Sequence, residues 1–291
     1  MDSFRFGVVM HAAGGHAEWA EKCREAEALG YDVILVPDHL GIPSPFPALT
    51  AAALATERIR VGTFVVNTVF ANPTLLARDA ATVDRLTGGR LELGLGAGHR
   101  KEEFTATGIG WRPLGERIEH LAHTLGELTR LFGDEDTQPR PVQAGGPPVL
   151  IGGNSDQVLR LAAERAATVG LTPLVRTKSA PGFRIMGAEE VDERVAFLRS
   201  SAAGREVELN VLVRDVVVTP DREAVARQWL AQAPYFDLDQ FYASPTVLLG
   251  TVDEIAEQVR AWRKRFGITY LAVHEPRMAA FAPVAAALRG E

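Results

Sequence analysis

A parallel (β/α)8 TIM barrel is the fold class that the sequence predicts, on three observations. Short apolar, β-branched runs alternate with stretches of helical period along the chain. Most of these runs are apolar throughout rather than every second residue, the pattern of strands covered on both faces. Eight of them fit within 291 residues, which suits a closed barrel better than an open doubly wound sheet. No linker rich in Pro, Ser or charge divides the chain, so one domain is expected over residues 1–291.

The runs come in order. FRFGVVM (4–10) is followed by the helical pattern HAEWAEKCREAEALG, and DVILV (32–36), RVGTFVV (60–66) and RLELGLG (90–96) complete the first half. PVLIGG (148–153), TVGL (168–171), VELNVLVRDVVV (207–218) and YLAVHE (270–275) supply the second half, and the apolar helix AAFAPVAAALR (279–289) closes it. Two connections, 171–187 and 233–245, are long for a compact barrel. The first carries Arg176, Lys178 and Arg184, read as a solvated charged loop.

Composition narrows the function. With 46% hydrophobic and 23% charged residues and a net charge of −6, the chain lacks the basic footprint that DNA or RNA binding needs. No targeting segment opens the sequence and no run of about 18 apolar residues occurs, so neither a membrane nor export is expected, and a cytoplasmic location is. The lone Cys23 excludes an intrachain disulfide and reads as a packing residue. His120 and His123 have metal-like spacing but no evident third ligand, so no metal site is expected.

Barrel enzymes carry their chemistry at the C-terminal ends of the strands. DVILV runs into Pro37, Asp38 and His39, a carboxylate and an imidazole where the strand stops. RVGTFVV passes Thr63, Phe64 and Val65 to reach Asn67, and Asn72 follows before Pro73. RLELGLG leaves through Gly94, Gly96, Ala97 and Gly98 into His99, Arg100 and Lys101, and the missing side chains would let a planar ligand or its backbone neighbours approach. The spacing G-x-G-x-G is not a dinucleotide fingerprint. PVLIGG delivers Gly152 and Gly153, after which Asn154 or Ser155 can cap a helix whose first amides would accept a phosphate.

At these residues the sequence resembles the luciferase-like monooxygenase superfamily, in its branch using the deazaflavin coenzyme F420. FGVVM, AEALGYDVILVPDHL, ATERIRVGTFVVN, DRLTGGRLELGLGAG, VLIGGNSDQVLRLAAERAA and LLGTVDEIAEQVRAWRKRFGITYLAVH carry the resemblance in order. It implies Asp38 and His39 beside the cofactor ring, and a non-prolyl cis peptide at Phe64–Val65 against that ring. By the same resemblance Thr63, Asn67, Gly96, Ala97 and Gly98 border the cofactor, and Gly152, Gly153, Asn154 and Ser155 hold its phosphate. Where several relatives place a Glu after the glycine run, this chain has His99, which could shuttle a proton. Relatives also carry a Trp shortly after the Asp-His pair, where this chain reads LGIPSPFP.

The resemblance implies an F420-dependent oxidoreductase, with reduced F420 delivering a hydride to an activated C=C or C=N bond of a small-molecule substrate. Relatives are commonly dimers, which implies a homodimer. Two alternatives stand beside this reading: an FMN-dependent monooxygenase of the same fold, and a non-catalytic barrel that binds a phosphorylated ligand.

Overall fold

The computed structural model describes residues 3–11, 14–176 and 183–291. Eight parallel strands form the expected closed barrel: Arg5–Val9, Val33–Val36, Arg60–Thr63, Leu91–Gly96, Val149–Gly152, Thr168–Leu171, Glu208–Val213 and Ile268–His274. Taking them as first to eighth, each pairs with its neighbour in sequence, the first pairs with the eighth, and the third pairs with the fourth. A two-residue strand, Val66–Asn67, continues the third strand along the upper part of the fourth.

Register sorts the side chains into two layers. Val9, Val33, Leu35, Leu150, Tyr270 and Ala272 point into the barrel and form a small inner core. The alternate residues, such as Phe6, Val8, Ile34, Leu93, Leu271 and Val273, join the large layer between sheet and helices. This two-sided burial is why the strands read as continuously apolar. Helix His16–Ala28 shows the other half of the rule, burying Trp19, Ala20, Cys23 and Ala26 and leaving its charges outside. Cys23 is fully buried, and burial pushes its thiol up to about 12, in keeping with a packing role.

The glycine-rich interior makes room for the third strand. A Cβ on Gly94 would lie 2.0 Å from the Thr63 carbonyl oxygen, and one on Gly96 would lie 2.7 Å from Val65 Cγ2. Those glycines therefore admit the backbone and Val65 of the neighbouring strand, at the place where the Phe64–Val65 peptide is cis.

Two readings of the second half need correction. The run 207–218 is two strands: Glu208–Val213 stays in the barrel, while Asp215–Val218 leaves it and pairs with Val247–Gly250. The Arg214 amide, bonded to the Thr246 carbonyl at 2.8 Å, marks the departure. Both pieces carry strand-forming apolar residues, so composition could not register the change of partner. Connection 233–245 contains the helix Leu238–Ala243, capped by Asp237 and Gln240. Around these elements Ile185, Ala226, Phe241, Val247 and Leu249 build a separate satellite core. In connection 171–187, Leu174–Arg176 and Phe183–Ile185 pair antiparallel, and Lys178 falls outside the described residues. Arg184 is not merely solvated, since it pairs with Glu190 at 2.5 Å. Among the described residues no helix is long and apolar enough to cross a membrane.

Candidate active site

The strand ends bring Asp38, His39 and His99 together. Asp38 is half-buried, and its Oδ2 accepts the Asn67 amide at 3.0 Å. Burial raises the Asp38 carboxyl above the ordinary carboxylate range, and the Asn67 bond opposes that rise. His39 and His99 meet edge to face with ring centroids 5.4 Å apart. Loss of water around the His99 ring lowers its pKa, and the adjacent His39 and Arg100 push the same way.

Glu103 is one group that sequence reasoning missed. It lies in the first turn of helix Lys101–Thr107, is buried, and has Oε1 2.9 Å from His39 Nδ1. The Leu40 amide donates to the same oxygen at 3.3 Å. Where the carboxylate accepts at this contact, the His39 proton lies on Nδ1, and Nε2 is the ring nitrogen on the other side. The signal for Glu103 lay in RKEEF, where one acidic residue of the pair had to turn inward with Phe104.

A second imidazole pair crosses the first and eighth strand ends. His11 and His274 stack at 5.1 Å, and burial lowers both pKa values. MHAA and AVHEP contained both residues, but neither segment carries a motif that distinguishes them from ordinary strand-end histidines. At the same C-terminal ends of the strands Phe64, Val65 and Leu212 are only partly covered and pack on the inner core, so the barrel mouth has an apolar floor and a titratable rim.

The remaining expected residues have local partners. Thr63 bonds the Gly94 carbonyl at 2.7 Å from inside the barrel wall. Asn67 Oδ1 caps the turn at Val69, and its amide group fills the space a Gly98 Cβ would need. The Ala97 and Gly98 carbonyls both accept from Arg117. Ser155, rather than Asn154, caps helix Asp156–Arg165. Asn154 instead donates to the Thr172 and Leu174 carbonyls at 2.7 and 3.0 Å, and the Gly153 amide bonds the Gly170 carbonyl at 3.0 Å. Asp156, in the first turn of that helix, pairs with Arg194. His120 bonds the Thr68 carbonyl at 3.0 Å and acts as a structural pin. Trp111 lies over the Arg117 guanidinium at 4.0 Å.

Comparison with known proteins follows the same lines. A chain from Methanolobus tindarius, 5,10-methylenetetrahydromethanopterin reductase, is 29% identical over 167 residues, covering 55% of this chain and 51% of that one. The chain spans about half the length of such curated relatives. Among solved structures, monooxygenase RslO1 from Streptomyces bottropensis superposes with a TM-score of 0.75 at 24% identity, covering 98% of both chains. An F420-dependent secondary alcohol dehydrogenase in complex with an F420-acetone adduct gives 0.76 at 14% identity, covering 99% of this chain and 98% of that one. Both share the fold. A family model for luciferase-like monooxygenases matches residues 1–270, and the chain belongs to that family.

Proposed function

We propose that the protein is an F420-dependent oxidoreductase that reduces an activated C=C or C=N bond of a small organic substrate. The relatives are reductases and monooxygenases, which supports an oxidoreductase as the class. The carrying observation is the mouth itself: an apolar floor of Phe64, Val65 and Leu212 ringed by Asp38, His39, His99 and Glu103. A planar ring with one polar edge fits that combination, because the floor covers a face and the rim meets the edge. Bound there, a deazaflavin supplies a hydride.

The chain's own residues orient and handle protons. Asp38 and His39 would border the ring, and the glycines and helix start at 152–155 would take the phosphate. Glu103 fixes the tautomer of His39 through Nδ1. Burial lowers the His99 pKa, which makes its charged form the stronger proton donor. Direction therefore has a pH signature. If His99 protonates a reduced substrate, turnover rises as pH falls toward its folded pKa; if it accepts a proton during oxidation, turnover falls over the same interval.

The test is fluorescence quenching with F420 and FMN on the same preparation, followed by the pH profile of turnover. F420 should bind at micromolar Kd or tighter, about −8 kcal/mol, and FMN more weakly. Equal or tighter FMN binding favours the monooxygenase reading, to which the fold likeness with RslO1 lends support. Binding of neither would leave the phosphorylated-ligand reading.

A further inference from the structure

Arg117 lies in helix Leu114–Gly133, eighteen residues beyond His99, and is only 5% exposed. Its Nη1 donates to the Ala97 carbonyl at 3.1 Å and to the Gly98 carbonyl, and its Nε donates to the Arg112 carbonyl at 3.1 Å. Its guanidinium lies 4.0 Å from the Trp111 ring centre and 5.9 Å from that of Phe104. One guanidinium nitrogen thus clamps the two carbonyls that immediately precede His99, while Nε of the same rigid group holds the Arg112 carbonyl.

The loop is confined from the other side as well. Gly98 adopts φ +70°, and the Asn67 amide group lies 2.6 Å from where its Cβ would be. Asn67 in turn donates its backbone amide to Asp38. Phe104, beside Arg117, follows Glu103 directly in the helix that holds His39.

We infer that Arg117 is a positioning residue that holds the loop carrying His99 in place from beneath the mouth. The inference rests on the oxidoreductase reading only where turnover is concerned. The charged and titratable groups facing His99 are His39 from the second strand end, Arg100 and Glu103 from its own loop and helix, and Arg117 from helix Leu114–Gly133. Asn67, from the third strand, is neutral. Arg117 is one of the cations that hold His99 towards the neutral form. A neutral donor could support the carbonyls but could not add that field. Lysine could add the field but has no second rigidly placed nitrogen to hold the Arg112 carbonyl at the same time.

The experiment compares Arg117→Gln and Arg117→Lys in the full-length protein, following the His99 ring by NMR titration without cofactor, then F420 affinity and turnover. Arg117→Gln should move the His99 midpoint upward and lower kcat by up to roughly 10²-fold through misplacement, with F420 Kd changed less than about threefold. Arg117→Lys should restore the midpoint while recovering turnover only in part. Should Arg117→Gln fail to fold, Arg117→Lys still decides through lowered kcat at an unchanged midpoint. An unmoved midpoint in folded Arg117→Gln, or full turnover in either variant, overturns the inference. A moved midpoint in a protein that fails to bind F420 would keep the positioning role and remove the cofactor assignment.

Discussion

The two ends of the barrel use ionisable residues in opposite ways. At the N-terminal end Glu92 accepts from Arg5 at 2.5 Å and from Arg60 at 2.6 Å, and Glu208 accepts from Arg5 at 2.8 Å and from Thr168 at 2.9 Å. The Arg5 guanidinium of this network lies 4.5 Å from the Tyr270 ring centre. At the C-terminal end His11, His39, His99 and His274 crowd together with Asp38 and Glu103, and burial displaces several pKa values. The contrast teaches that charge alone does not mark a site in this fold: at one end the charged groups pair with one another, and at the other the titratable rim is where the proposed chemistry would lie.

Removing Glu92 should give the largest effect on the supporting side. Glu92→Ala leaves Arg5 and Arg60 without their shared acceptor. The cost is about 2–3 kcal/mol, below the full penalty for breaking a buried pair because both arginines keep some water contact. A lowered midpoint in urea unfolding, with F420 affinity of the folded protein unchanged, checks it. Loss of binding at full stability would erase the contrast.

His39 and Glu103 sharpen the other side. His39→Ala should weaken F420 binding and slow turnover together, because that imidazole would touch the ring. Glu103→Gln keeps an acceptor near Nδ1 but removes the charge. A bond to a charged group contributes about 1.5–3 kcal/mol, so turnover should fall roughly ten- to hundredfold. Steady-state kinetics beside a cofactor titration separates the two variants, and a Glu103→Gln enzyme that matches the parent would reduce Glu103 to a helix-packing residue.

The smallest expected effect is on acid stability. His11, His99 and His274 have lowered folded pKa values, so the unfolded chain binds more protons. Their contribution is present above the ordinary imidazole pKa of about 6.5 and is lost as pH falls below it. Asp38 and Glu208 have raised pKa values, mainly from burial, and act with the opposite sign nearer the carboxylate range. Thermal unfolding between pH 7 and pH 5 should therefore show a declining Tm, and His99→Ala should flatten the decline.

Much of this was legible because strands and their ends announce themselves. The apolar runs gave the barrel, and PDHL and GLGAGH put Asp38, His39 and His99 at one end of it. What sequence could not show was who meets whom across the fold. Glu103 and Arg117 sit in ordinary helical patterns, and only packing turns one toward His39 and the other under Gly98. The satellite strands were hidden for a related reason, since Asp215–Val218 and Val247–Gly250 are as apolar as barrel strands and differ only in partner. The glycine run pointed to close approach correctly, but its near neighbours are Thr63, Val65 and Asn67.

The most direct test of the division between the two ends is turnover per folded molecule at saturating F420, measured side by side for His99→Ala and Glu92→Ala. The account predicts that His99→Ala loses roughly 10²–10⁴-fold in kcat, the range for a general acid or base, while Glu92→Ala turns over within a few fold of the parent despite its lower stability. Parental turnover in His99→Ala together with a crippled Glu92→Ala would contradict it.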